Sequence, residues 1–323
     1  MLSFPTFALL KQCLPTTEIH ALVQPYTLPM ADSCSYIDNI IIDPGVESGF
    51  MSTQLLVRML KSAQYDAVIT LYSTTRIGLA VAMAAIPYRL APATKIAQLF
   101  YNRRLKQRRS RSEKPEYVYN RDLAEYYLND LQINPDTYPL PPYLTFDENE
   151  IKALKNSFLE QDNIDADKKL VFIHPGSGGS ANNLSVPQYA QLANTIDKKE
   201  QWQLVISAGP GEEKQAEQLA ALTKDLSPVV YISRTGLEQF AKHLAFADIF
   251  ISGSTGPLHI AGALDRATAA FYTRRRSATS LRWQTLSADS HRLAFSPPAD
   301  AEEEDMQSVD VADAARQISE ELL

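Results

Sequence analysis

The sequence predicts an α/β protein built from two doubly wound domains, and three observations carry the prediction. At 323 residues the chain exceeds what one hydrophobic core usually supports. Its second half alternates apolar runs of strand length with segments of helix length, the grammar of a parallel sheet covered by helices. Gly-rich turns stand where those strands end, which is where such sheets bind their ligands.

The first half opens on an apolar helical stretch, Phe4 to Cys13. Glu18 to Val23, Asn39 to Ile42 and Ala67 to Leu71 read as strands, with Gln54 to Ser62 as a helix between the last two. A doubly wound domain normally begins with a strand that becomes central in its sheet. Here the chain starts on the helix that should come after it, so a central strand is expected to be missing. Residues 91–146 are rich in Arg, Tyr and Pro with weak periodicity and read as a long excursion. A boundary between Asp147 and Asp165 then divides an N-terminal domain, 1–150, from a C-terminal domain, 165–323. No short-period repeat is visible.

The second half is more regular. Leu170 to Ile173 is a short apolar strand that runs into His174-Pro175-Gly176-Ser177-Gly178-Gly179-Ser180, a loop of phosphate size. A helix from about Pro187 to Ile196 comes next. The pattern repeats through strand Gln203 to Ser207, turn Gly209-Pro210-Gly211, helix Glu212 to Thr223, strand Val229 to Ile232, helix Leu237 to Ala245 and strand Ile249 to Ser252.

Composition narrows the function classes. Apolar residues make up 45% and charged residues 21%, ordinary for a globular protein. The net charge of −7 gives no general basic face, so a nucleic-acid partner is not expected and any anion site must be local. Cys13 and Cys34 stand in no metal-like spacing and read as plain thiols of a reducing compartment. No apolar stretch approaches the roughly 20 residues needed to span a bilayer. The apolar opening, Met1 to Leu10, lacks the basic start and cleavage pattern of a secretory signal.

Chemistry concentrates at Ser252-Gly253-Ser254-Thr255-Gly256-Pro257-Leu258-His259. A strand ends there, Ser254 or Thr255 can cap, Pro257 suits the first helical position, and an apolar helix begins. The free N–H groups of that first turn and the helix dipole form an anion site, with His259 placed to donate to a phosphate oxygen. The same residues alone also describe an ordinary capped helix with a satisfied histidine.

The loop Gly176-Ser177-Gly178 offers a second set of close-approach N–H groups, with hydroxyls from Ser177 and Ser180. Two such loops in one sheet point more firmly to a phosphate ligand than either does alone. Glu212 is either a first-turn carboxylate favoured by its helix dipole or an acceptor for a ribose or base.

The one dense basic run is Arg103, Arg104, Lys106, Arg108, Arg109, Arg111 and Lys114, with Glu113 inside it. It is either a solvated loop or a recognition surface for phosphorylated lipid and anionic headgroups. Arg274, Arg275 and Arg276 come after a strand from Thr268 to Tyr272 and are expected on the ligand side of the sheet.

The pattern resembles glycosyltransferase family 9, the heptosyltransferases of lipopolysaccharide core synthesis. The resemblance runs through His174-Pro175-Gly176-Ser177, the Gly209 to Glu212 turn, Gly236-Leu237-Glu238 and Ser254-Thr255-Gly256-Pro257-Leu258-His259. It implies a GT-B fold, two Rossmann-like domains facing a central cleft. The C-terminal domain would bind a nucleotide-sugar, typically ADP-heptose, through Gly176, Ser177, Gly178, Asn182, Glu212, Ser254, Thr255, Gly256, Pro257 and His259. The N-terminal domain would bind a lipid-linked anionic glycan, with Arg103, Arg104, Arg108 and Arg109 as candidates. Transfer in the family inverts the anomeric centre and uses no metal or other cofactor. The resemblance places the enzyme in the cytoplasm, with peripheral contact at the inner face of the bacterial inner membrane.

Three departures stand beside it. Ser254 replaces the family's usual acid, and Asn182-Asn183-Leu184-Ser185 replaces the usual Lys-x-Trp-Pro, so a cation near the diphosphate is lost; Arg274, Arg275 and Arg276 are expected to replace it in part. The family's catalytic base is an aspartate in a Gly-Asp pair before the first helix, and the segment from Met1 matches the family pattern only beyond that pair. The expectation is a chain that begins about a strand and a turn late, with the base encoded upstream of Met1. The alternative is a nucleotide-sugar-binding protein that has lost catalysis.

Overall fold

A computed structural model of the protein describes residues 1–45, 49–94, 96–179, 182–197 and 201–323. They form two compact units, Leu2–Pro139 and Leu140–Leu323, with Met1 grouped with the second. Both are α/β with parallel strands only, as the sequence predicts. Cys13 and Cys34 are both free thiols, the latter buried.

The N-terminal unit runs α1 (Phe4–Cys13), β1 (His20–Val23), α2 (Leu28–Asp32), β2 (Asn39–Ile42), α3 (Phe50–Ser62), β3 (Ala67–Ile69), α4 (Thr75–Met83), β4 (Tyr88–Pro92), β5 (Arg103–Leu105) and α5 (Glu116–Asp130). Its strands form two pieces, β1-β2 and β3-β4-β5, and no described strand joins β1 to β3. Both pieces nonetheless share their helical layers. Leu22 of β1, Ile41 of β2 and Val68 of β3 rest on Leu56, Leu60, Ala80 and Val81 of α3 and α4. Ile19, just before β1, and Ile69 of β3 pack with Leu9, Leu10, Ala124 and Leu128 of α1 and α5.

The stretch read as an irregular excursion holds β5 and the 15-residue α5. Tyr119, Leu123, Ala124 and Leu128 of α5 are buried at helical spacing. Interleaved Asn, Asp, Glu and Arg flatten that helix's contrast between faces, which hides it from a periodicity argument.

The C-terminal unit runs α6 (Glu148–Gln161), β6 (Lys169–His174), α7 (Val186–Thr195), β7 (Trp202–Ala208), α8 (Glu213–Leu222), β8 (Val229–Ile232), α9 (Leu237–Leu244), β9 (Ile249–Gly253), α10 (Gly256–Ala263), β10 (Ala267–Phe271), β11 (Arg292–Phe295) and α11 (Val311–Glu321). The division between the units falls at Pro139–Leu140, ahead of the window from Asp147 to Asp165. Helix α6 fills that window, capped by the Asp147 carboxylate on the Glu150 amide. Its Phe158 stacks into an aromatic group with Phe172, Tyr231, His243 and Phe246.

Six strands lie in the order β11-β10-β9-β6-β7-β8. The chain first builds outward from β6 to β8, then returns to add β9 on the other side of β6. The order therefore reverses between β6 and β9, the topological switch point at which open α/β sheets bind ligands. Both faces are covered, one by Tyr189 and Leu192 of α7 with Ala314 and Ile318 of α11, the other by the aromatic group. Short α10 is anchored at its far end, where the amides of Tyr143 and Leu144 donate to the Ala263 carbonyl at 2.7 and 3.0 Å.

In the N-terminal unit, Asp43 after β2 locks the strand ends together. It accepts from Arg76 of α4, from Gln24 Nε2 after β1 at 3.0 Å, and from the Gly45 amide at 3.0 Å. Arg76 also donates to the Gly45 carbonyl at 2.7 Å. The two charged side chains are only 8% and 14% exposed. Removing one partner of a buried pair strands the other charge, so Arg76→Ala should cost about 3–5 kcal/mol. Urea unfolding followed by hydrogen exchange should show that loss confined to residues of the N-terminal unit.

Candidate functional site

The site is built where β6 and β9 lie side by side, with His174 paired in register to Ser252. The loop after β6 and the start of α10 after β9 therefore leave the sheet next to each other. A third loop, Gly209-Pro210-Gly211, comes after β7 on the other side of β6.

Glu212 binds two of these loops together. Its Oε1 accepts from the Gly178 amide at 3.0 Å, and its Oε2 accepts from the Gly209 amide at 2.9 Å and faces His174 Nε2 at 3.3 Å. His174 is 4% exposed, and its Nδ1 meets Ser207 Oγ at 3.1 Å. In the neutral ring this pairing has Nε2 donating to the carboxylate and Nδ1 accepting from the serine. The carboxylate passes so close to Gly176 that a Cβ there would lie 2.2 Å from it. Gly176 is thus required for close approach, while Gly178 takes a φ of +52°, a conformation that favours glycine. The first-turn carboxylate of the sequence reading proves to be a cross-link between loops.

Asn183 does the equivalent work on the other side. Its Nδ2 donates to the Pro175 carbonyl at 3.1 Å, and its Oδ1 accepts from the Leu184 amide at 2.9 Å and from the Tyr189 hydroxyl. A Cβ on Gly253 would lie 2.5 Å from Asn183 Oδ1, so the end of β9 must be glycine for the loop to seat. Ser185 then starts α7 with a capping box to Gln188. Asn182 is exposed at the loop's outer edge, Ser177 is partly buried, and Ser180 lies outside the described residues.

Helix α10 starts differently from the sequence expectation. Thr255 occupies the cap position, but neither it nor Ser254 makes a side-chain cap, and Pro257 is the second helical residue. The Thr255 hydroxyl is turned inward, 3.5 Å from Ser252 Oγ, and the residue is 4% exposed. The first-turn N–H groups of Gly256 and Leu258 are therefore left without a side-chain cap. A Cβ on Gly256 would meet nothing within 4 Å, so open space lies in front of the helix. His259, the fourth residue of α10, has Nδ1 buried with no hydrogen-bond partner among the described residues. Burial pushes its pKa down to about 3, so at neutral pH the ring is an uncharged donor rather than a cation.

The structure sorts the arginines. Arg274 turns to the Ala301 carbonyl and Arg275 pairs with Glu304 at 3.3 Å, which leaves Arg276 exposed at the end of β10. In the N-terminal unit, Arg109 is spent internally, bonding Glu116 at 2.7 Å, Asn120 at 3.1 Å and the Tyr119 carbonyl at 3.2 Å. Arg103 pairs with Asp130 at 3.1 Å. Arg104 and Arg108 reach solvent. Among the described residues no group of three His, Cys, Asp or Glu is placed to hold a metal ion.

The sequence alone assigns no role to His174 or Asn183. A polar residue closing an apolar strand is the available signal for His174; Asn183 offers none, because its partners come from Pro175 and the side chain of Tyr189.

Comparison with known proteins gives these features a family. Residues 54–303 match the model of glycosyltransferase family 9 (heptosyltransferase). A Haemophilus influenzae protein provisionally described as a glycosyltransferase is 40% identical over 320 residues, 99% of this chain and 92% of its own length. The solved E. coli ADP-heptose lipopolysaccharide heptosyltransferase II superposes with a TM-score of 0.76 at 17% identity, covering 99% of this chain and 94% of that one. The E. coli heptosyltransferase WaaC with ADP gives a TM-score of 0.71 at 20% identity, covering 100% and 95%.

The His174 hydrogen bond, helped by the Gly209 and Gly178 amides, lowers the Glu212 pKa from 4.5 to about 2. A carboxyl depressed on folding stabilises the fold above its unfolded pKa and loses that contribution as pH falls through the folded one. Glu212→Gln keeps the shape but turns an amide NH2 toward a backbone N–H. At neutral pH it should cost about 1–3 kcal/mol. Thermal unfolding of both proteins should show that gap narrowing as pH drops from about 5 toward 2.

Proposed function

The chain belongs to glycosyltransferase family 9, the heptosyltransferase family, and on that premise we propose that it is an inverting transferase that moves heptose or a related sugar from a nucleotide-sugar donor to a lipopolysaccharide-core or similar lipid-linked glycan. The observation that carries this reading is the pairing of two phosphate-sized loop regions at one switch point, with an uncapped helix start facing open space. That a structural neighbour is described with ADP supports a nucleotide ligand.

The donor's diphosphate is held at the start of α10. Gly256 and Leu258 supply N–H groups, the helix dipole adds partial positive charge, and His259 contributes a neutral N–H. Charge developing on the leaving diphosphate is met there by donors already fixed in place, so little reorganisation accompanies reaction. Gly176, Ser177, Gly178 and Asn182 border the same ligand from the β6 side. Glu212 acts on them as well: it accepts from Gly178, Gly209 and His174 and so sets the loop geometry, and Oε1 keeps a lone pair for a ribose hydroxyl. Arg276 is the cation available to stand in for the lysine absent at Asn182. Arg104 and Arg108 are the acceptor-side cations, and transfer takes place in the cytoplasm at the inner face of the inner membrane.

Two measurements test this. A nucleotide-sugar at 100 times its dissociation constant should stabilise the protein by about 2.7 kcal/mol, so a thermal-shift panel of ADP-, UDP- and GDP-sugars should contain at least one clear stabiliser. A panel with none refutes the reading. Gly256→Asp fits the open space but sets a negative charge at the helix start. It should leave the unliganded melting temperature unchanged and weaken nucleotide-sugar binding at least about tenfold, read by calorimetry.

A further inference from the structure

One hydroxyl in the core of the C-terminal unit has no part in its apolar packing. Tyr189, the fourth residue of α7, is fully buried among apolar side chains, its ring set edge to face with Phe271 at 6.0 Å between centroids. Phenylalanine would fill the same space, so it is the hydroxyl that needs a reason. Burial raises its pKa above the ordinary range, which keeps the group a protonated donor at neutral pH. It donates to Asn183 Oδ1, and its oxygen takes a hydrogen bond from the Gly253 backbone.

Both partners lie at the strand ends that carry the ligand loops. His174 of β6 pairs with Ser252 of β9, so Pro175 and Gly253 are the next residues out on neighbouring strands. The Asn183 side chain lies across both. Its Nδ2 holds the Pro175 carbonyl at 3.1 Å, and a Cβ added to Gly253 would lie 2.5 Å from its Oδ1 and 2.7 Å from its Cγ. Asn183 is also where the loop after β6 rejoins the fold, one residue before Leu184, which is buried in the core. Oδ1 has its lone pairs met by the Leu184 amide and by Tyr189, so turning the carboxamide away breaks both bonds. Glu212 braces this loop from the β7 side. Tyr189 braces its return from within the core, and the same hydroxyl reaches the residue two positions before Thr255, the cap position of α10.

We infer that Tyr189 is a positioning residue for the proposed donor site: acting through Asn183 and Gly253, its hydroxyl fixes the spacing between the loop after β6 and the start of α10, so that the amides of both face one diphosphate. The inference rests on the donor reading above, in which those two regions hold one ligand. It adds to that site a core residue that never touches the ligand, the kind of support without which correctly chosen donors are held too loosely to converge.

Tyr189→Phe keeps the ring and removes both hydrogen bonds of the hydroxyl. In the unliganded protein, amide hydrogen exchange of residues 175–178 should quicken about three- to tenfold, the worth of one neutral hydrogen bond. Calorimetry with ADP, UDP and GDP, well below the melting temperature, should show the tightest of the three weakened by a similar factor. Ile318→Val is the control, since it lies in the same core on α11, toward the end where Leu323 meets the first residue of β6. It should lower the melting temperature and leave both affinity and loop exchange as in the wild type. Asn183→Ala should weaken binding at least as much as Tyr189→Phe, and the double variant should be no worse than Asn183→Ala alone, because both changes act through one contact. Unchanged loop exchange, unchanged nucleotide affinity or additive losses in the double variant would each overturn the positioning role while leaving the donor reading intact. A wild type that binds none of the three nucleotides overturns the donor reading and this inference with it.

Discussion

The carboxylate of Glu212 holds together loops that belong to different strands, and the proposed donor site depends on it. A loop rich in glycine is free to adopt many conformations, and that freedom must be removed before its amides can converge on a ligand. Here the amide of Gly178 is fixed by a charged acceptor rooted at the start of α8. His174 closes the arrangement from below, and Ser207 holds His174. Every lone pair used in this way is unavailable to a ligand. The residue that reads in the sequence as either a first-turn carboxylate or a ribose acceptor also shapes the loop.

The start of α10 shows the opposite economy. A capping side chain satisfies first-turn amides at some helix starts, as Ser185 does for α7 and Asp147 for α6. At α10 the Thr255 hydroxyl is buried toward Ser252, and the exposed end keeps its donors free. The apolar body of the helix and the carbonyl cap from Tyr143 and Leu144 compensate for the missing cap. The proposed diphosphate site thus rests on withholding a stabilising interaction that α7 makes.

The N-terminal unit depends on a different charged group. Its strands come in two pieces with no described strand between them, and the Asp43–Arg76 pair with Gln24 joins their carboxyl ends. That pair is nearly buried, so its charge is directed inward and does not serve a ligand. Among the unit's exposed cations, Arg104, Lys106 and Arg108 lie in and after β5. Within one basic run, Arg103, Arg109, Arg111 and Lys114 each meet an acid while Arg104, Lys106 and Arg108 meet none among the described residues, a distinction that turns on which acids α5 and Glu113 bring alongside.

The sequence by itself determined the α/β class, the alternation of strands and helices through the second half, and the positions of the loops after β6 and β9. Those features are written in local spacing: apolar runs of strand length, Gly and Pro at strand ends, and a proline near a helix start. The order β11-β10-β9-β6-β7-β8, which makes the two loops neighbours, is not local and became visible only in the folded sheet. Helix α5 was hidden because its buried tyrosine and alanine are not distinguished by hydropathy from a polar loop. The roles of Glu212, His174 and Asn183 were decided by tertiary structure for the same reason. Whether a polar side chain binds a ligand or braces a loop depends on which amides lie within about 3 Å of it, and those come from distant parts of the chain.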